Sequence, residues 1–224
     1  MMMKISNDTV NVLRNFATVN SSLAVKKGSV LRTISEQKNI LVQAVVNESF
    51  PVDFAVYELN QFLGFVSLFD DPDLTFNEDH VQVTDENSRK GNYTYTDPTM
   101  ITQPPEKNIN VDDAEVKVSM DEDDYKNVVK AAHALQLPDI VISGDGESVS
   151  MTATDVKNPT SNDYSCSVGN STAKFKMIFK TENFKFLDDD YEVVLSSKGV
   201  GYFKNTNRAV EYWVATETGS EYEG

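Results

Sequence analysis

Three blocks of sequence occur twice, in the same order, about half a chain apart, and a chain that repeats itself in this way is expected to fold as two copies of one domain. At an offset of 116, "DTVNVLRN" from Asp8 lies over "DYKNVVKA" from Asp124, so that Asp8, Asn11, Val12 and Arg14 meet Asp124, Asn127, Val128 and Lys130. At an offset of 122, "DFAVYELNQF" from Asp53 meets "FKMIFKTENF" from Phe175 and brings Phe62 onto Phe184. At an offset of 119, "GNYTYT" from Gly91 lies over "VEYWVA" from Val210. Between the copies, residues 96–110, "TDPTMITQPPEKNIN", hold three prolines and few large apolar residues, the composition of a connection. The expected organisation is a first domain over 1–98, a linker over 99–110 and a second domain over 111–224.

Local patterning fills in each copy. In "SNDTVNVLRNFATVN" Ser6 is placed to cap a helix and Asp8 lies in its first turn. Val12, Leu13, Phe16 and Ala17 then form an apolar stripe, with Asn7, Asn11, Arg14 and Thr18 on the polar side. In "SMDEDDYKNVVKAAHALQLP" Ser119 and Glu122 fit a capping box, acids from Asp121 to Asp124 suit the positive helix end, and Pro138 ends the run. Tyr125, Val128, Val129, Ala132 and Leu135 are its expected buried side. Most of the remainder alternates as strands do, with hairpin turns expected at Lys27-Gly28, Asp145-Gly146 and Lys198-Gly199. Short helical pieces are expected within 57–65 and 180–186. The class is α+β.

Composition and motifs exclude more than they name. With 224 residues, 40% hydrophobic, and a mean hydropathy of -0.38, the chain can bury a sizeable core. No run approaches the roughly 18 apolar residues of a membrane helix, and "MMMKISND" has no signal-peptide core, so a cytosolic protein is expected. A single cysteine, Cys166, and two histidines, His80 and His133, make neither a disulfide nor a zinc site. The acidic runs Asp70–Asp73, Asp121–Asp124 and Asp188–Asp190 lack the spacing of a calcium loop and read as solvated ends of elements. Phosphate-binding loops, dinucleotide fingerprints, nucleophile elbows and zinc-protease motifs are all missing, so no enzyme, no metal and no cofactor are expected.

Charge is segregated along the chain. The formal total is -15, yet residues 1–40 hold six Lys or Arg against two acids, while 39–88 hold ten acids and no Lys or Arg. Lys126, Lys130 and His133, spaced by four and three, form a basic stripe on the second long helix. The pair Glu122 to Lys126 and the helix dipole account for such a stripe as ordinary helix chemistry; a polyanionic partner accounts for it equally well.

"LRNFATVNS", "DFAVYELNQFLGFVSLFDD" and "VVKAAHALQL" resemble the sliding clamps of T-even-type bacteriophages, the processivity factors of their replicative DNA polymerases, and the likeness extends over essentially the whole chain. The resemblance implies a clamp fold of two similar domains, each with two helices packed on antiparallel sheets, three subunits closing a ring around duplex DNA. The helices would lie at about 7–19, 58–66, 121–136 and 181–187 and line the hole. On that reading Arg14, Lys126, Lys130 and His133 face sequence-nonspecific DNA, with Lys4, Lys180 and Lys185 as weaker candidates, and Arg14 and Lys130 rank first because the repeat makes them equivalent. The resemblance further implies the polymerase, an ATP-dependent clamp loader and the transcription machinery as partners, in the cytoplasm of an infected bacterium. A partner peptide would sit near Met100, Ile101, Trp213 and Ala215. Subunits would pair through strand edges at "GNYTYT", with Asn92, Tyr93, Thr94 and Tyr95, and at "DYSCSV", with Tyr164, Ser165, Cys166 and Ser167. The rival reading is an acidic interaction protein, a DNA mimic that occupies the basic groove of a nucleic-acid enzyme; a viral structural protein built from sheets is a third.

Overall fold

The computed structural model describes residues 2–107, 109–111 and 114–223, so Asn108 of the expected linker and Asp112, Asp113 and Gly224 of the expected second domain lie outside the described residues. The chain divides into two compact units, Met1–Glu106 and Lys107–Gly224.

Unit 1 runs β1 (Met2–Met3), α1 (Asn7–Val19), β2 (Leu23–Val25), β3 (Gly28–Ile34), β4 (Ile40–Phe50), β5 (Phe54–Val56), α2 (Leu59–Val66), β6 (Asp73–Phe76), β7 (His80–Thr84) and β8 (Lys90–Thr94). Unit 2 runs β9 (Val116–Met120), α3 (Glu122–Leu135), β10 (Asp139–Asp145), β11 (Ser148–Thr154), β12 (Tyr164–Asn170), β13 (Lys174–Lys180), a 3₁₀ turn at Thr181–Asn183, β14 (Tyr191–Ser196), β15 (Val200–Asn205), β16 (Val210–Ala215) and β17 (Glu221–Tyr222). The two units share one plan. In unit 1 the first strand joins a ladder in the order β1-β6-β7-β8, and in unit 2 the order is β9-β14-β15-β16. The other strands pair as β4 with β3 and β2 with β5 in unit 1, and as β12-β11-β10-β13-β17 in unit 2. All these pairings are antiparallel.

α1 begins where the Ser6 hydroxyl accepts the Thr9 N–H at 3.3 Å, and Glu48 of β4 adds a second cap by accepting from the Ser6 N–H and the Thr9 hydroxyl. Its buried side holds Val12, Leu13 and Phe16 as the pattern requires, together with Thr9, Asn15 and Val19; Ala17 is half-buried. Asn7, Asn11, Arg14 and Thr18 are all exposed. α2 buries Leu59, Phe62, Leu63 and Val66, the i, i+3, i+4, i+7 spacing of one helix face.

α3 differs at its ends from the sequence expectation. The capping box does not form, because Ser119 lies within β9; Asp121 is the cap residue, and the Glu122 N–H donates instead to Asp190 Oδ1 at 2.8 Å. At the other end Gln136 turns left-handed at φ 55°, two residues before Pro138, and the Leu137 N–H closes onto the Ala132 carbonyl at 2.8 Å. That closure puts Leu137 in the core and leaves Leu135 43% exposed, whereas the helical spacing predicts Leu135 inside. Val129 is half-buried, while Tyr125, Val128 and Ala132 are buried as expected.

Two further expectations are corrected. Lys27-Gly28 is not a hairpin turn: β2 pairs with β5 and β3 with β4, and the chain changes ladder at Gly28, whose φ of 121° admits the corner. Asp53 fixes that corner by accepting the Lys27 N–H at 2.7 Å. The hairpins at Asp145-Gly146 and Lys198-Gly199 do form. The fourth helix, expected at 181–187, is only the turn Thr181–Asn183. Phe184 and Phe186 lie two residues apart, a spacing that cannot share a helix face, and both enter an aromatic cluster. In it the Phe186 ring centroid is 4.6 Å from that of Tyr212 and 4.7 Å from that of Phe203. Tyr125 of α3 closes the cluster, its hydroxyl accepting the Phe186 N–H at 3.0 Å.

Candidate nucleic-acid interface

The outward faces of the helices are built by the same residues that the repeat aligns. On α1 the exposed side carries Asn7, Asp8, Asn11, Arg14 and Thr18; on α3 it carries Asp123, Asn127, Lys130, His133 and Ala134. Arg14 and Lys130 are exposed on these equivalent helices, and among the described residues neither is engaged by an acid. His133 is exposed in the last turn of α3.

The remaining cations of the expected set are held differently. Lys126 is bonded to Glu122, one turn back, and lies 3.4 Å from Asp188; the Glu122 hydrogen bond leads the effects that hold its ammonium above the usual lysine range. Lys4 is bonded to Asp71, which likewise raises it. Lys180 ends 2.6 Å from Asp139, and that bond raises it too. Lys185 is half-buried beside the aromatic cluster. The structure thus separates Arg14, Lys130 and His133 from four lysines with other local roles or surroundings.

The resemblance sets the helix at about 58–66 against the hole but names no residue on it; the outward face of α2 presents Asn60, Gln61 and Gly64. No charge stands on it, although residues 39–88 carry ten acids and no base. That uncharged face in an acidic segment was the available signal.

The two expected pairing strands both end a ladder. β8 stands last in its sheet and β12 last in its own. The Tyr95 N–H donates to the Asp79 carbonyl at 3.0 Å, continuing the register that pairs Val81 with Tyr93. By the alternation of an antiparallel ladder, Gly91 and Tyr93 share their bonds with β7 while Asn92 and Thr94 turn their N–H groups away from it. Burial, then Asp79, pushes the Tyr95 phenol up to about 12. On β12, Tyr164, Ser165 and Ser167 are exposed, and Cys166 is half-buried, its thiol pushed up to about 11 by burial and then by Asp124.

Of the residues expected at a peptide pocket, Met100 is 67% exposed and Ile101 buried in unit 1. In unit 2 Trp213 is buried against Tyr202, ring centroids 5.1 Å apart, with no partner for its Nε1–H among the described residues, and Ala215 is half-buried. Among the described residues there is no cluster of three or more His, Cys, Asp or Glu able to hold a metal, and no helix is long and apolar enough to cross a membrane.

Two units on one plan, each with a helix laid across antiparallel ladders, define the sliding-clamp fold. The structure superposes on the PCNA of A. fulgidus, solved with the C-terminal region of FEN-1, at a TM-score of 0.71 and 16% identity, covering 98% of each chain. It matches PCNA of Thermococcus kodakaraensis at 0.71 and 15% identity over 97% of this chain and 99% of that one. Against the DNA polymerase III beta subunit of Pseudomonas aeruginosa the values are 0.67 and 13%, over 98% of this chain and 65% of that one. The family model described as "DNA polymerase processivity factor" matches residues 6–103, and that described as "gp45 sliding clamp, C terminal" matches 111–218. The sliding clamp of Vibrio phage KVP40 is 33% identical over 221 residues, 96% of this chain and 99% of that protein. That of Enterobacteria phage T4 is 28% identical over 235 residues, 99% and 100% respectively. The chain belongs to the phage sliding-clamp family, the DNA processivity factors, which displaces the alternatives of a DNA mimic and a structural protein.

Proposed function

We propose that three copies close into a ring that encircles duplex DNA without reading its sequence, and that the helix faces bearing Arg14, Lys130 and His133 line the hole. The observation that supports this is the equivalence of Arg14 and Lys130: one exposed cation at the same repeat position on α1 and α3, paired with no acid among the described residues in a chain of net charge -15. Phosphates attract such a face at every register, so contacts exchange as the ring moves. The uncharged face of α2 belongs to the same wall, where it neither repels nor anchors the duplex. Lys126 adds a weaker contribution, because Glu122 and Asp188 already screen it. Lys4, Lys180 and Lys185 stand outside the main set.

Ring closure joins the edge of β8, through Asn92 and Thr94, to the edge of β12 on the next subunit, which removes two unpaired strand edges at once. The ring tethers the replicative DNA polymerase through a peptide bound on the linker side, near Met100 and Ile101, with Trp213 and Ala215 as the unit 2 candidates. It acts without catalysis of its own, is placed on DNA by a separate ATP-using loader, and works in the cytoplasm of the infected bacterium, where the transcription machinery is a further partner.

The test is the double variant Arg14→Glu, Lys130→Glu. Processive synthesis with loader and polymerase present should fall, while the particle stays near three times 25.0 kDa on sizing. Unchanged synthesis would remove these residues from the DNA face, and a strict monomer for the unmodified protein at high concentration would remove the ring.

A further inference from the structure

Of the six bases in the first 40 residues, the helix face accounts for Arg14 alone, and Lys4 is engaged by Asp71. Three others, Lys26, Lys27 and Arg32, gather around one cavity of about 280 Å³ in unit 1. Ala24, Val30 and Pro104 supply its apolar walls and Glu106 its acid. Asp53 offsets part of the positive charge, lying 3.3 Å from Lys26 Nζ.

The guanidinium of Arg32 is bonded on one side only. Nη1 donates to the Pro105 carbonyl at 2.9 Å and to the Glu106 carbonyl at 3.3 Å. Nε and Nη2, which form the other edge of the planar group, are buried and meet no acceptor among the described residues. An edge of that kind is a rigid two-donor fork matched to the two oxygens of a carboxylate. Left unpaired away from water, it bears a desolvation cost with no compensating bond.

We infer that this cavity is a docking site for a carboxylate of a partner peptide, taken bidentately by Nε and Nη2 of Arg32. The inference rests on the reading that partner peptides bind on the linker side and names the group by which they are recognised. Lys26 and Lys27 draw the anion in. The walls at Ala24, Val30 and Pro104 accept an aliphatic side chain beside it, which a nucleic-acid backbone does not supply. Because the donor edge is closed to solvent and Nη1 of the same group holds the backbone at Pro105 and Glu106, entry requires that segment to lift.

The experiment follows the Arg32 Nε–H resonance of the full-length protein in a nitrogen-15 NMR titration. The probes are N-acetyl-leucine, with a terminal carboxylate, a blocked Asp-Leu dipeptide amide, with a side-chain carboxylate, neutral N-acetyl-leucinamide, and inorganic phosphate. A saturable shift with either carboxylate and none with the leucinamide supports the site, and the tighter of the two identifies the source of the group. Arg32→Lys, which keeps the charge and loses the fork, should weaken the better probe by about tenfold, read from the shift of the Val30 amide. Equal response to the leucinamide, no response to any probe, or tighter binding of phosphate overturns the inference. No saturable shift from a protein that sizes as a trimer would overturn this site and leave the ring, and a strict monomer that still binds a carboxylate probe would overturn the ring and leave this site, so the two failures are distinguishable.

Discussion

Lys180 places its ammonium 2.6 Å from the carboxylate of Asp139, its direct cross-strand partner, which is 1% exposed. Replacing Lys180 by Met strands a buried carboxylate and should cost about 3 kcal/mol or more in a denaturant titration. Adding Asp139→Asn should recover much of that loss. A Lys180→Met midpoint equal to the unmodified one would show the pair to be dispensable. The Asp139 bond holds the lysine above its ordinary 10.5, so this stabilisation is complete below pH 10.5 and is lost as pH rises through the folded value. Alkaline titration should remove the difference between the two proteins.

Glu48 gives the opposite sign. Burial alone would raise its carboxyl, but the bonds from Thr9 and Ser6 outweigh burial and hold it below 4.5. Its contribution is therefore present above pH 4.5 and lost as pH falls through the folded value. Glu48→Ala should cost about 1 kcal/mol at neutral pH, as loss of a helix cap does. Thermal melts at neutral and acid pH compare the two proteins, and a gap that persisted once the carboxyl was protonated would contradict the capping role.

Thr94→Pro separates folding from assembly. The outward N–H of Thr94 makes no bond to β7, so proline there spares the ladder inside the subunit and removes a donor from its edge. Far-ultraviolet circular dichroism should be unchanged, and sedimentation should shift from trimer towards monomer. Retention of a full trimer would exclude this edge from the junction.

The DNA face predicts a graded response to salt. Each phosphate contact contributes about 0.9 to the slope of log affinity against log salt, so Arg14→Ala and Lys130→Ala should each lower it by about that amount in a binding assay on closed circular DNA. Lys126→Ala should lower it less, because Glu122 and Asp188 compete for the ammonium. Equal slopes for all three variants would mean that the intramolecular pairs do not screen Lys126.

What could be read from the sequence was set by local rules. Ser6 and the stripe Val12, Leu13, Phe16 specify α1 because cap and periodicity act within a few residues. The Lys27-Gly28 corner differs from the expected hairpin because a turn dipeptide reports a change of direction and not which strand is met afterwards. The segment after β13 has the local pattern of a short helix, and the resemblance implies one at about 181–187, although Phe184 and Phe186 alternate as strand residues do; their partners Phe203 and Tyr212 lie 19 and 26 residues further along the chain. The Arg14 and Lys130 equivalence was visible in the repeat. The engagement of Lys180 and Lys4 was not, since Asp139 and Asp71 are 41 and 67 residues away.

Unit 2 has an aromatic cluster where unit 1 has α2, so the two halves are not interchangeable. Grafting 57–66 over 179–188 would keep a phenylalanine at 184 but put Gly64 in the place of Phe186 in the cluster, and the reverse graft would keep one at 62 but put Thr181 and Lys185 in the buried places of Leu59 and Leu63. Each half is completed by its own segment, so a chain made of two first halves or two second halves would be a different molecule.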